Sequence, residues 1–145
     1  SPQMLDDFGL NATLEWLCKE FSILNGISCE FESAYDESSL TQEMKIDFFR
    51  MCQEALTNVL DLAIPSKIKI RIEDIDGSIQ LCIMDNGNGF GAESEVNSAA
   101  LINIRERAAS INAHFGMQHI PGGKSALCVT VKPTVNQGYK KHNLV

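Results

Sequence analysis

No apolar run in this chain approaches the roughly 20 residues needed to cross a bilayer, and no basic-then-apolar leader opens it. A soluble, cytoplasmic domain is expected. Basic residues are scarce: 12 Lys and Arg stand against 19 Asp and Glu, a net charge of -7, which argues against a grip on nucleic acid or anionic membrane. Paired cysteine motifs are missing too. Cys18, Cys29, Cys52, Cys82 and Cys128 are odd in number, widely spaced among apolar neighbours and without a CxxC, so they read as reduced core thiols and not as a disulfide framework or zinc site. Neither a phosphate-binding GxxxxGK[ST] motif nor a glycine fingerprint between a first strand and a helix is present, and no internal repeat appears.

What is present suffices for one core, since 145 residues can bury one without disulfides or a structural metal. From Leu5 to Leu24, Leu10, Leu14, Leu17, Phe21 and Leu24 recur at helical spacing, and Asn25-Gly26 ends the segment. "GISCEFES" alternates through Ile27, Cys29 and Phe31 as a short strand, and Ser39 or Thr41 can cap a second helix. In that helix Phe48, Cys52, Ala55, Leu56, Val59 and Ala63 form the apolar face, with Glu54, Asn58 and Asp61 expected on the opposite side. Ile68, Ile70 and Ile72, a turn at Asp76-Gly77, and Ile79, Leu81 and Ile83 describe a hairpin with one wet face. "DNGNGFGAESEVNSAA" has no periodicity and is the longest irregular stretch. "LINIRERAASINAHF" returns to helical spacing through Leu101, Ile104, Ala108 and Ile111, with His114 expected to pack at the helix end; Leu127, Val129 and Val131 mark a closing strand.

Helices and mostly antiparallel strands mixed in this order imply an α+β two-layer sandwich, a mixed, mostly antiparallel sheet with helices on one face. Residues 1–25 are expected as a helix ahead of the main domain, 26–133 as that domain, and 134–145 as a polar tail. The chain opens at Ser1 in the middle of an amphipathic pattern, so it reads as a piece of a longer protein.

Glu54 and Asn58 stand one helical turn apart and can meet one ligand. Either alone is ordinary for a solvated helix face, "DNGNG" alone is ordinary for a turn, and Glu93 and Glu95 read as solvated loop. Together, a helix bearing Glu and Asn at i and i+4, a hairpin, a strand-terminal Asp and a glycine-bearing loop form a pattern. That pattern resembles the ATP-binding domain of sensor histidine kinases, within the gyrase, chaperone and mismatch-repair superfamily with its Bergerat-type fold. "QEALTNVL" is similar to the asparagine box, "DNGNGF" to the first glycine box, "INIRERA" to the helix after the lid in nitrate-sensor-type kinases, and "LDDFGL" to the end of their dimerisation segment. The resemblance runs from about Leu5 to Pro133.

The resemblance implies ATP and Mg2+ as cofactors. It gives Asn58 the role of magnesium ligand, through a hard neutral oxygen, and Glu54 a catalytic and metal-side role. Asp85 would accept a hydrogen bond from the exocyclic amine of adenine, selecting ATP over GTP. Gly87 and Gly89 would allow close backbone approach, Phe90 completes the box, Ser125 would share the adenine-side water network, and residues 88 to 100 would form a lid. Two departures accompany this. Asp61 and Leu62 stand where Lys and His are common, and "SAAL" carries Ser98 and Ala100 where the second glycine box has glycine.

None of His114, His119 and His142 lies in an acidic helical context, so the resemblance implies a phosphoacceptor histidine on a dimerisation domain that preceded Ser1. Partners implied are that domain of the same protein, a response regulator reached through it, and a second copy in a homodimer, the intact sensor being membrane-anchored or free. Two other readings fit the same fold: a nucleotide-poor regulatory scaffold, and an ATPase or anti-sigma-type serine kinase.

Overall fold

The computed structural model describes residues 2–62, 67–86, 99–120 and 124–133. The element order is α1 (Pro2–Asn25), β1 (Ser28–Ala34), a short 3-10 turn (Glu37–Ser39), α2 (Gln42–Leu62), β2 (Lys67–Ile75), β3 (Ser78–Asp85), α3 (Ala99–Ser110), β4 (His114–Ile120) and β5 (Lys124–Val131). The strands form one sheet in the order β1-β2-β3-β5-β4. Only β1 and β2 pair in parallel, joined through α2; the other pairs are antiparallel, so the expected α+β mixed sheet is what forms.

Strand alternation sets the layers. In β2 and β3, Ile68, Ile70, Ile72, Ile79, Leu81 and Ile83 are completely buried on one face, and Leu127, Val129 and Val131 of β5 continue it. Phe48, Met51, Cys52, Ala55 and Val59 of α2 complete this core with Leu10 and Leu14 of α1 and Leu101 and Ile104 of α3. The hairpin turns through Asp76 and Gly77, both at positive φ (52° and 88°), as the Asp-Gly pair requires for a two-residue connection. Thr41, one of the two expected caps, accepts the Met44 amide at 3.1 Å and starts α2.

Several expectations are corrected. The first helix is broken at Gly9, whose φ of 86° and ψ of 174° lie where side-chain-bearing residues are strained. Glu37 fills that break: its Oε1 accepts the Asn11 amide at 2.7 Å, capping the second half of α1 from outside the helix, while Thr13 Oγ1 donates to the Gly9 carbonyl. Leu24, read as part of the apolar stripe, is exposed; Cys18 is buried in its place beside Phe21. His114 is not packed at a helix end. Asn112, at φ 55°, stops the chain after α3, and His114 begins edge strand β4, exposed and paired across from Thr130.

The cysteines divide. Cys18, Cys29 and Cys52 are free and buried, as expected. Cys82 and Cys128 are joined in a disulfide, contrary to the reading of five reduced thiols. They face each other directly in the β3–β5 ladder, with Cα atoms 4.2 Å apart, a register that spacing along the chain does not reveal. Both occupy the off-phase positions of their strands, Cys82 between Leu81 and Ile83 and Cys128 between Leu127 and Val129, on the sheet face away from the helices.

Candidate functional site

The core-facing row of β3 runs Ile79, Leu81, Ile83 and then Asp85; that of β5 runs Val131, Val129, Leu127 and then Ser125. Both apolar rows therefore end on a polar side chain, and the two are register partners. Asp85 is 2% exposed and Ser125 3%, and Ser125 Oγ donates to Asp85 Oδ2 at 3.1 Å. A carboxylate buried where the pattern calls for another aliphatic side chain needs hydrogen-bond partners to offset its desolvation, and the Ser125 hydroxyl is one of them.

Asn86 anchors the end of β3. Its Oδ1 accepts the Lys67 amide at 3.0 Å and its own amide donates to the Lys67 carbonyl, clamping β3 to the start of β2. Lys67 follows the end of α2 by five residues, so the last turns of α2 lie at the same end of the sheet as Asp85. Asn58 is one turn from that end, about 6 Å along the helix axis. Asn58 does not fall on a solvated face as expected. It is 3% exposed, because Met51, Ala55 and Asn58 form a second buried stripe where α3 packs beside α2. Its Nδ2 has no hydrogen-bond partner among the described residues.

Glu54 is half-buried, one turn before Asn58. Its Oε1 accepts from Asn103 Nδ2 of α3 at 3.4 Å. A second tie between these helices is the Asp47 carboxylate, which accepts from Arg107 at 3.2 Å and from Ser110 at 3.4 Å. Asn103 was not singled out in the sequence, although it sits inside "INIRERA"; its polar type on the α2-facing side of α3 is the signal that it helps place Glu54.

The end of β3 and the facing start of β5 carry Asp85 and Ser125, and the last turns of α2, with Glu54 and Asn58, run toward the same end of the sheet. Gly87, Gly89, Phe90 and Ser98 lie outside the described residues, as does the Asp61 side chain. Of the expected lid, residues 88 to 100, all but Ala99 and Ala100 lie outside the described residues, and those two belong to α3. Among the described residues no cluster of three His, Cys, Asp or Glu side chains could hold a metal, and no helix is long and apolar enough to cross a membrane.

Comparison with known proteins points in one direction. No protein-family model matches the chain. The sensor histidine kinase MctS of Rhizobium johnstonii is 33% identical over 112 residues, covering 74% of this chain and 24% of that protein. The signal transduction histidine-protein kinase/phosphatase DegS of Brevibacillus brevis is 28% identical over 134 residues, covering 92% of this chain and 35% of that protein. The chain spans between about a quarter and a third of the length of these relatives. In structure it is similar to the histidine kinase domain of the Erythrobacter litoralis blue-light activated kinase, with a TM-score of 0.72 at 15% identity, covering 89% of this chain and 63% of that one. The catalytic domain of histidine kinase ThkA superposes with a TM-score of 0.62 at 14% identity, covering 86% of this chain and 91% of that one. The fold is that of histidine kinase catalytic domains, and the sequence is similar to sensor histidine kinases.

Proposed function

We propose that the chain is the ATP-binding catalytic domain of a two-component sensor histidine kinase of the nitrate-sensor type, taking MgATP and delivering its γ-phosphate to a histidine on a separate dimerisation domain. The observation that carries this reading is the buried Asp85–Ser125 pair at the end of two otherwise apolar rows. Asp85 accepts the adenine amine, and the Ser125 hydroxyl holds the carboxylate in place for it. A carbonyl at that position of the base would meet the carboxylate as a second acceptor, which disfavours guanine.

The donor set also suits a magnesium-bound triphosphate. The Asn58 side chain combines a neutral carbonyl oxygen, suited to a small hard cation, with a buried Nδ2 that has no partner among the described residues and can donate to a phosphate oxygen. Magnesium, when bound, supplies charge neutralisation at the phosphates. Glu54, held by Asn103, sets a carboxylate on the same side of α2 and orients the metal and phosphate end. The work of these residues is positioning, with no covalent step on the protein.

The acceptor belongs elsewhere in this reading. His114 and His119 both lie on edge strand β4 and not in the acidic helical context that the resemblance implies for an acceptor, although His119 is the register partner of Ser125. The partners follow: a dimerisation domain of the same protein, a response regulator acting through it, and a second copy of the protein, in a cytoplasmic setting. Two observations favour the scaffold reading instead. Glu54 is already engaged by Asn103, and Asp61 and "SAAL" replace basic and glycine residues at the phosphate end.

Calorimetric titration with ATP, with and without magnesium, decides between the two. Binding that Asp85→Asn weakens by about tenfold or more supports the kinase domain; no binding by the wild-type chain at millimolar ATP supports the scaffold.

A further inference from the structure

We infer that the outward side of the second half of α1 is a self-association surface, on which a second copy of this chain seats antiparallel, Lys19 of each copy against Glu15 and Trp16 of the other. Residues 10–25 are apolar on two sides. Leu10, Leu14, Cys18 and Phe21 are buried against the core, whereas Ala12, Trp16, Lys19 and Ile23, at about 100° per residue, fall within about 60° of one another on the opposite side. All four are exposed, Trp16 to 41% and Ile23 to 72%. Their steps of four, three and four residues are those of a helix–helix seam. A helix with apolar stripes on both sides has a place for a neighbour on each.

Charge selects the occupant and its direction. Glu15, Lys19 and Glu20 are the only charged residues between Leu10 and Asn25; Glu15 flanks the seam on the side of Lys19, and Glu20 flanks it on the side of Trp16. In a parallel pair of identical helices opposite flanks meet, so Glu15 of each copy would stand against the other's Glu20. That arrangement repels. In an antiparallel pair like flanks meet, and centring it beside Leu17 brings Lys19 of each copy to the other's Glu15 and over its Trp16 ring, with small Ala12 against large Ile23. Glu20 then lies on the far flank from the other's Glu15. The face is thus complementary to itself.

The association is weak in the isolated chain. Leu10 to Asn25 is a helix about 24 Å long, and a pair of that length buries less than the roughly 1,200 Å² of a stable interface. One glutamate per copy stays unmatched, and each chain carries a net charge of -7, so long-range repulsion opposes the pair as well. A weak contact suits domains already held together. Two copies tethered by a separate dimerisation domain meet at millimolar effective concentration, enough to make this contact and to release it. That tethering rests on the proposed function; the surface does not.

The test is sedimentation velocity of the 145-residue chain from about 10 μM to about 1 mM, a span that brackets an interface of this size. Emission of Trp16, the chain's single tryptophan, is followed over the same range. Expected are a weight-average mass that climbs toward two chains and a blue shift of Trp16 with it. Ile23→Glu and Lys19→Glu should each weaken association by about tenfold or more, and Glu15→Lys combined with Lys19→Glu should restore it. Circular dichroism checks that these variants fold, as their exposed positions predict. Glu15→Lys alone separates the two directions: weaker association supports the antiparallel seat, whereas stronger association is the parallel outcome and overturns it. A chain that stays monomeric at about 1 mM leaves the face to some other partner and overturns the inference. So does a dimer indifferent to Ile23→Glu, or a double charge reversal that fails to restore it.

Discussion

Replacing Asn58 by leucine should make the ligand-free domain more stable and the nucleotide-binding domain inert. A buried amide N–H without a partner costs about 1 to 3 kcal/mol relative to one that is satisfied, and Asn58 Nδ2 is such a group among the described residues. Leucine is close in volume, so repacking beside Met51 and Ala55 subtracts less than about 1.5 kcal/mol. The net expectation is a gain of about 1 kcal/mol, or roughly 3 to 5 °C in Tm for a domain of this size. Thermal unfolding followed by circular dichroism, with and without MgATP, separates the two effects. At a tenfold excess over Kd the wild-type chain gains about 1.4 kcal/mol from ligand, whereas Asn58→Leu gains nothing. A variant that unfolds well below the wild type without nucleotide would refute the argument that this amide is held at a cost. So would a variant that MgATP still stabilises in full.

Other outcomes follow from the same structure. Asp85→Asn should keep the fold, because Ser125 can still donate to the amide oxygen, but lose about 1.5 to 3 kcal/mol of ATP affinity with the charge-assisted bond, read by calorimetry. Gly9→Ala should lose about 1 to 3 kcal/mol, since alanine is strained at that backbone angle and its Cβ would lie 2.5 Å from Glu37 Oε2; urea unfolding measures it. Cys82→Ser, compared with the oxidised wild-type chain, should cost about 4 kcal/mol from the loop-closure relation applied to a separation of 46 residues. Cys52 and Cys18 should resist alkylation in the native chain: burial pushes the Cys52 thiol up, and contact with Cys29 followed by burial pushes up that of Cys18. Glu32 should titrate below an ordinary glutamate because Lys69 and then Arg71 bond its carboxylate. Its small stabilising contribution is present above the unfolded-state value and fades as pH falls through the folded one, visible in an NMR titration of the side chain.

Much of this was legible in the sequence because period carries direction. Strict alternation placed Ile68 to Ile83 on one sheet face, and the i and i+4 spacing put Glu54 and Asn58 on adjoining turns. The same periodicity exposes Asp85 and Ser125 as polar members of apolar rows. What failed depended on neighbours that no local pattern contains. Asn58 is buried because α3 covers a second stripe of α2, and α3 finds that place through Asp47, Arg107 and Ser110, some sixty residues apart in the chain. The Cys82–Cys128 bond depends on register between strands separated by α3 and β4. Strand β4 hid behind a helical reading of "INAHF", and only the turn at Asn112 separates the two. The Gly9 break is set by Glu37, which reaches it from the far side of β1.

The parallel pairing of β1 with β2 has a consequence for the order of assembly. Ser28 aligns with Lys67, and α2 is the span between them. The parallel pair that α2 bridges forms only when a 39-residue interval has closed, and Ser125 reaches Asp85 only after the 40 residues beyond Asp85 have been synthesised. Such distant closures are slow compared with local turns and hairpins. On a ribosome the Asp85–Ser125 pair forms only once β5 has emerged, so, in the nucleotide-binding reading, capture of nucleotide by a nascent chain would report that β5 has joined the sheet.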